Sequence, residues 1–246
     1  MQKLKVFTLL AVVMAIMLFF NGCAQKGEKA ENNQPTKLKV GLVLDMAGRG
    51  DGGFNDAAYN GMITAKKYFG NNIATTLVEP RNINEFEEEL RTLAQNKTDL
   101  IIAMGYYFSE PLAKVARDYP ETKFVLIDAN LPNLKADSNI TCVTFKDNEG
   151  AFLAGAAAAL KSQTGKIGFV GGAEIPVINN FETGYTAGAR YINPKIVVLS
   201  NYIAKGNEGF HHPNTARTYA LDQISNGADI IFHAAGDSGS GVFEAV

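Results

Sequence analysis

Three kinds of side chain in this sequence have the chemistry to handle a ligand: carboxylates at the ends of apolar runs, aromatics set in polar loops, and histidines and a serine among glycines. Asp45 closes the run LKVGLVLD and Asp128 closes KFVLID, so both stand where a buried strand would reach its carboxyl end. An isolated aspartate there usually caps a turn. Recurrence at two strand ends favours a second role, accepting hydrogen bonds from the amino or hydroxyl groups of a neutral polar ligand. Phe54 and Asn55 follow the loop MAGRGDGG. Its glycines have neither GxGxxG nor GxxxxGK[ST] spacing, so the loop is expected to give Phe54 the backbone freedom to enter a cleft rather than to cradle phosphate. Phe210, in KGNEGFHHPN, has two open readings, a stacking surface for a ligand or a plug into the core. Gly236, in HAAGDSGSG, would let backbone approach a ligand closely.

Catalysis is not expected, and no catalytic residue is assigned. His211 and His212 are adjacent and cannot both face one site from extended chain, and no GxSxG accompanies them or His233. Ser238, in GDSGSG, has a superficially protease-like setting but no identifiable base. Two cysteines, Cys23 and Cys142, and three histidines supply no CxxC or HExxH spacing, so neither metal nor cofactor is expected. With 23 basic and 25 acidic residues, a formal net charge of −2 and no basic cluster, nucleic acid is not expected as a partner.

The elements that must position these groups alternate. Apolar, β-branched runs at Leu38 to Asp45, Ile73 to Val78, Leu100 to Met104 and Lys123 to Asp128 are separated by helical patterns at 54–69, 83–96 and 110–118. A short strand at 141–145 and an alanine-rich helix at 149–161 follow, the helix suited to close packing. The grammar then restarts, with strands at 166–172, 196–203 and 229–236 and helices around 181–191 and at 214–226. Repeated βα units predict an α/β fold of two Rossmann-like lobes, each a parallel sheet flanked by helices, facing one another across a cleft. The expected division is 37–145 for the first lobe and 146–246 for the second. Because the chain stops just inside a helix begun at Gly239, the second lobe reads as incomplete and the chain as a fragment or a truncated form.

Residues 1–22 read as an export signal, with Lys3 and Lys5 ahead of an apolar run from Val6 to Phe20 that is short for a membrane span. FNGC ends it, a lipobox-like setting for lipidation of Cys23, although Phe20 and Asn21 depart from the usual leucine and small residue. Residues 23–36 are polar and proline-bearing, a tether from a lipid anchor. The expected location is the extracytoplasmic face of the cell membrane.

The segments VGLVLDMAGRGDGGFNDAAYNG, NEGAFLAGAAAAL, KIGFVGGAEIPVINNFETGYTAGA and FHAAGDSGSGVFEA, in this order, resemble the basic membrane protein (BMP) family of substrate-binding lipoproteins. These are nucleoside receptors of ABC importers with a type I periplasmic-binding-protein fold. The resemblance implies a non-catalytic protein that captures a nucleoside, purine nucleosides foremost, for ABC permease and ATPase subunits in the membrane. It implies base-stacking aromatics at Phe54 and Phe210, a base-contacting aspartate at Asp45, a further cleft aspartate at Asp128 and a ribose-side glycine at Gly236; Asn55, next to Phe54, is expected to bind the ligand as well. Met46 stands where the family often has asparagine. The resemblance also implies a longer protein, whose further segment carries an aspartate and a lysine for the ribose hydroxyls. A sugar or autoinducer receptor of the same fold, a hydrolase acting on nucleosides or through Ser238, and a host-facing surface antigen are the competing readings.

Overall fold

The structure is a computed structural model that describes residues 37–246; the expected export signal, the expected tether and Cys23 lie outside the described residues. Within them, apolar runs form two parallel sheets. The first contains β1 (Leu38–Val43), β2 (Ile73–Val78), β3 (Leu100–Met104), β4 (Lys123–Ile127) and β5 (Ile140–Val143), in the order β2-β1-β3-β4-β5. The second contains β6 (Lys166–Ala173), β7 (Val197–Ala204) and β8 (Ile230–Ala234), in the order β7-β6-β8. Every strand pair is parallel, with Val43 opposite Ala103 in the first sheet and Gly171 opposite Ala234 in the second.

Side chains alternate across a strand, and each face of the first sheet has its own cover. Val43, Ile101, Ala103, Phe124 and Leu126 are buried against Phe86, Leu90 and Leu93 of α2 (Phe86–Gln95) and Leu112 and Val115 of α3 (Ser109–Asp118). Leu42, Leu44 and Met104 point the other way, toward α1 (Phe54–Phe69). Ala58, Met62, Ala65 and Phe69, at helical spacing along α1, face the sheet but are only partly seated. An apolar groove of about 810 Å³ separates them from Val40, Leu42 and Ile102, and Phe69 remains 49% exposed. Two short alanines in the stripe span too little of that gap.

The second sheet is built around a pair of helices in close contact. The alanine-rich α4 (Asp147–Lys161) lies against α5 (Pro176–Ile192), and a Cβ at Gly155 would overlap the Tyr185 carbonyl. A Cβ at Gly184 or Gly188 would overlap backbone of Asn148 or Phe152. These glycines let backbone touch backbone, which is the close packing expected of the small residues. Ile178 and Tyr185 of α5 bury Ile167 and Phe169 of β6. On the opposite face, Val170 meets Ala216 and Ala220 of α6 (Pro213–Ser225) and Val242 of α7 (Gly239–Glu244). Boundaries move by a few residues: β5 ends at Val143 rather than at Phe145, which is exposed, and the helix expected from Ile83 opens as a 3₁₀ turn over Ile83–Glu85.

Candidate functional site

In open parallel sheets, ligands bind outside the carboxyl ends of the strands, where the strand order reverses direction. The first sheet reverses between β1 and β3, the second between β6 and β8. Chain leaving those four strands, with the ends of β4 and β7, lines one cavity of about 340 Å³. That lies at the small end of the usual range for small-molecule sites. Asp45, Phe54, Asp128, Phe210 and Gly236 all line it, so five of the six expected ligand residues come together from widely separated parts of the sequence.

Asp45 is fixed before any ligand arrives. Its Oδ1 accepts from Asn55 Nδ2 at 2.6 Å and from the Ala47 backbone at 2.8 Å, while its own N–H donates to Asn55 Oδ1 at 3.1 Å. Among the described residues Oδ2 has no such commitment and is available as an acceptor. Burial pushes the carboxyl above its ordinary range, and the bonds from Asn55 and Ala47 pull the other way. Asn55 is the sixth expected residue. It does not line the cavity: fully buried in the first turn of α1, it sits behind Asp45 and orients it.

The glycine-rich loop also differs from the expectation of free backbone. Gly48, Gly50 and Gly52 do adopt positive φ, which other residues rarely can, but carboxylates staple the result. Asp51 accepts from the backbone N–H groups of Gly53, Asn55 and Asp56, capping α1. Asp56 accepts from Gly50 and Gly52, and Glu79 at the end of β2 holds Arg49 through Nε and Nη2 at 3.1 and 3.0 Å. Phe54 is thus presented from a fixed helix start.

Asp128 is held differently. Its backbone is left-handed, with φ 63°, a conformation that aspartate tolerates better than most residues, and its N–H donates to Val143 O at 2.8 Å. Among the described residues no hydrogen bond stabilises its ionised carboxylate. Burial, with a smaller contribution from the nearby Asp147, pushes it up to about 6.

The second wall is shaped around an aromatic ring. Phe210 lies at the end of a 3₁₀ turn, Asn207–Phe210, so close to Gly172 that a Cβ there would overlap the ring, and a Cβ on Gly236 would touch it at 3.4 Å. Gly236, with φ 54°, is therefore part of a glycine shelf under Phe210 as well as cavity lining. Ser238 is spent on structure: fully buried, its hydroxyl donates to Gly209 O at 2.8 Å and accepts from His212 N at 2.7 Å, stitching the Phe210 turn to the chain entering α7. His233 lines the cavity with its ring on Gly239 and edge-on to Phe243, and burial lowers its pKa, keeping it neutral near pH 7. His211 Nδ1 stands 4.0 Å from Asp237. Among the described residues no group of three or more side chains is arranged to hold a metal ion.

Sequence reasoning missed Tyr107, Asn207 and the apolar wall of Ile178, Phe181 and Phe232, all lining the same cavity. The third strand end was the available signal for Tyr107, because GYY follows LIIAM directly. Tyr107 packs against the cores of both sheets, and burial, with the charge of Glu208 nearby, pushes its phenol up to about 12. Nothing in the sequence distinguishes Asn207 from the other polar residues of its loop.

Two parallel sheets whose carboxyl ends share one cavity define a binding protein of the periplasmic type I class. The chain belongs to the Bmp family, described as ABC transporter substrate-binding protein PnrA-like, which matches residues 38–246. The family is one of transporter binding components rather than enzymes. It is 36% identical over 236 residues to basic membrane protein A1 of Borrelia garinii, covering 96% of this chain and 66% of that protein. It is 30% identical over 247 residues to the ABC transporter nucleoside-binding protein BmpA of Lactococcus lactis, covering 98% and 68%. The chain thus spans about two thirds of the length of these curated relatives. A crystal structure of an ABC transporter solute-binding protein from Aeropyrum pernix superposes with a TM-score of 0.76 at 31% identity, over 85% of this chain and 58% of that one. A solute-binding protein from Actinobacillus succinogenes with bound D-allose, at TM-score 0.66 and 15% identity over 85% and 73%, shares the fold.

Proposed function

We propose that this chain is the lipid-anchored, extracytoplasmic receptor of an ABC importer, capturing a purine nucleoside between two lobes, 37–145 and 146–246, that close on it. The observation that carries this reading is the single cavity in which Phe54 and Phe210, from different sheets, accompany two aspartates with uncommitted acceptor oxygens. A nucleoside needs such a set: aromatic faces for a planar neutral base, worth roughly 1 to 3 kcal/mol per stacked face, and acceptors for its N–H and O–H groups. The Lactococcus lactis relative, a nucleoside-binding protein by name, supports the ligand class. The FNGC motif and polar tether support a diacylglyceryl thioether on Cys23, whose replacement by serine should release the body from membranes.

Calorimetric titration with inosine, guanosine, adenosine, uridine, glucose and allose tests the reading. Tight binding of purine nucleosides with no release of free base on prolonged incubation is expected. Tighter binding of a sugar would favour the sugar-receptor alternative, and appearance of free base would favour a hydrolase.

A further inference from the structure

Among the described residues, Tyr107 is the one hydrophobic side chain packed against the cores of both sheets. Its backbone belongs to the first sheet's side. It occupies the middle of a 3₁₀ turn, Tyr106–Phe108, entered from β3 through Gly105 at φ 103°. Phe108, fully buried and stacked on Phe86 with ring centroids 3.9 Å apart, fixes that turn in the first core. The Tyr107 ring reaches from it into the wall of the ligand cavity and meets the apolar core of the second sheet. Any parting of the two sheets at the cavity must therefore break one set of Tyr107 contacts.

The hydroxyl of the same residue opposes the ring. It is buried without a hydrogen-bond partner among the described residues, and the charge of Glu208, in the second-sheet turn that carries Phe210, acts on it. A buried phenol usually finds a partner, and a polar group left unpaired away from water is unfavourable. When the sheets part, water reaches the hydroxyl and that penalty disappears. Two other cavity-lining groups, Asn207 Nδ2 and His233 Nδ1, are also buried without a partner, but both belong to the second wall, and the His233 ring rests on Gly239 and Phe243 of its own side. Tyr107 alone joins such a group to contacts with both cores.

Resting on the receptor reading above, in which the lobes close on a ligand, we infer that Tyr107 is the positioning residue that sets the balance between open and closed lobes. Its ring draws the second sheet onto the first, and its unpaired hydroxyl keeps the closed arrangement shallow enough to reopen and release the ligand. A receptor that is only fractionally closed binds with its affinity reduced by that fraction, so removing the hydroxyl should strengthen binding. The sign is the test, because deleting a hydrogen bond to the ligand would weaken it.

Inosine is the probe, with calorimetry and stopped-flow release on the full chain. Tyr107→Phe should bind it at least about threefold more tightly than the wild type, chiefly through slower dissociation. A merely structural tyrosine would instead shift the unfolding midpoint and leave dissociation unchanged. Tyr107→Ala removes the ring as well and should release inosine at least about tenfold faster than Tyr107→Phe; equal rates would overturn the ring's part. Tyr107→Phe carries the test alone should the alanine variant fail to fold. If it binds inosine as the wild type does, or more weakly, the inference is overturned and the receptor reading stands. A wild type that binds no nucleoside overturns the receptor reading, and small-angle scattering of the unliganded proteins then decides. A smaller radius of gyration for Tyr107→Phe than for the wild type upholds the inference, and equal radii overturn it.

Discussion

The two walls of the cavity solve different problems. The first-sheet wall delivers polarity: Asp45 is clamped by Asn55 and Ala47, Asp128 is set by a left-handed turn, and the intervening loop is stapled by Asp51, Asp56 and Glu79. The second-sheet wall delivers shape: Phe210 lies on a shelf of Gly172 and Gly236, with Ile178, Phe181 and Phe232 beside it. Polar groups must be pre-oriented by other polar groups, so that wall is spent on hydrogen bonds. Aromatic faces are positioned by removing side chains beneath them, so that wall is spent on glycines. Changes on the first wall should therefore alter hydrogen bonding and pH dependence, and changes on the second should alter packing.

The largest effect is expected on the polar side. Asn55→Ala strips the fully buried partner from both the Asp45 carboxylate and the Asp45 N–H. Bonds to charged groups contribute about 1.5 to 3 kcal/mol each, so the loss should be about 3 kcal/mol in urea unfolding, with nucleoside affinity falling alongside it. A variant as stable as the wild type would mean that Asp45 is not held by this network. The two aromatic faces, Phe54 on the first wall and Phe210 on the second, should respond chiefly in binding. Phe54→Ala and Phe210→Ala should each weaken nucleoside binding by roughly 1 to 3 kcal/mol while the unfolding midpoint changes little, and Gly172→Ala should partly reproduce Phe210→Ala by pushing the ring off its shelf. Wild-type affinity in either phenylalanine variant would remove that ring from the stack.

How much of this was legible in the sequence differs between the walls for the same reason. Asp45 and Asp128 were found because strand ends are marked by where an apolar run stops, and parallel topology follows from the repetition of βα units. Phe210 was found as an aromatic out of place among polar residues. The stitch of Ser238 to Gly209 and His212, the shelf at Gly172 and the orphan amide of Asn207 were not found, because each depends on a contact between segments that only the folded chain brings together. Asn55 was found by its place beside Phe54, but its role turned out to be orientation of Asp45, since the first turn of a helix buries one residue while presenting its neighbour.

A pH titration separates the two aspartates from the aromatics. Asp128, pushed up to about 6 in the folded protein, is ionised at pH 7.5 and mostly protonated at pH 5. If its carboxylate accepts a ligand hydroxyl, affinity should fall roughly tenfold between those values, and Asp128→Asn should flatten most of the dependence. The raised pKa has the opposite sign for stability without ligand: ionisation is disfavoured in the fold, so this group's contribution is fully present below its ordinary range near pH 4 and is lost as the pH rises through about 6. Calorimetry between pH 5 and 7.5, paired with thermal unfolding across the same range, reads both. Affinity independent of pH in the wild type would take Asp128 out of ligand contact.

The smallest change falls on Ser238 and discriminates structure from catalysis. Its hydroxyl holds Gly209 O and His212 N and lies fully buried. Ser238→Ala leaves the Gly209 carbonyl without this partner in a buried position, whereas His212 is exposed enough for water to take over the lost bond. The net cost should be about 1 kcal/mol, a small fall in the urea midpoint. Phe210, next to Gly209, should lose a little of its fixed position, lowering affinity by no more than about threefold, which at 1.4 kcal/mol per decade is under 1 kcal/mol. A nucleophilic serine predicts the reverse pattern, unchanged stability with complete loss of a measurable hydrolysis. Free base released by the wild type and not by Ser238→Ala would overturn the structural assignment of this residue and, with it, the separation of the second wall from chemistry.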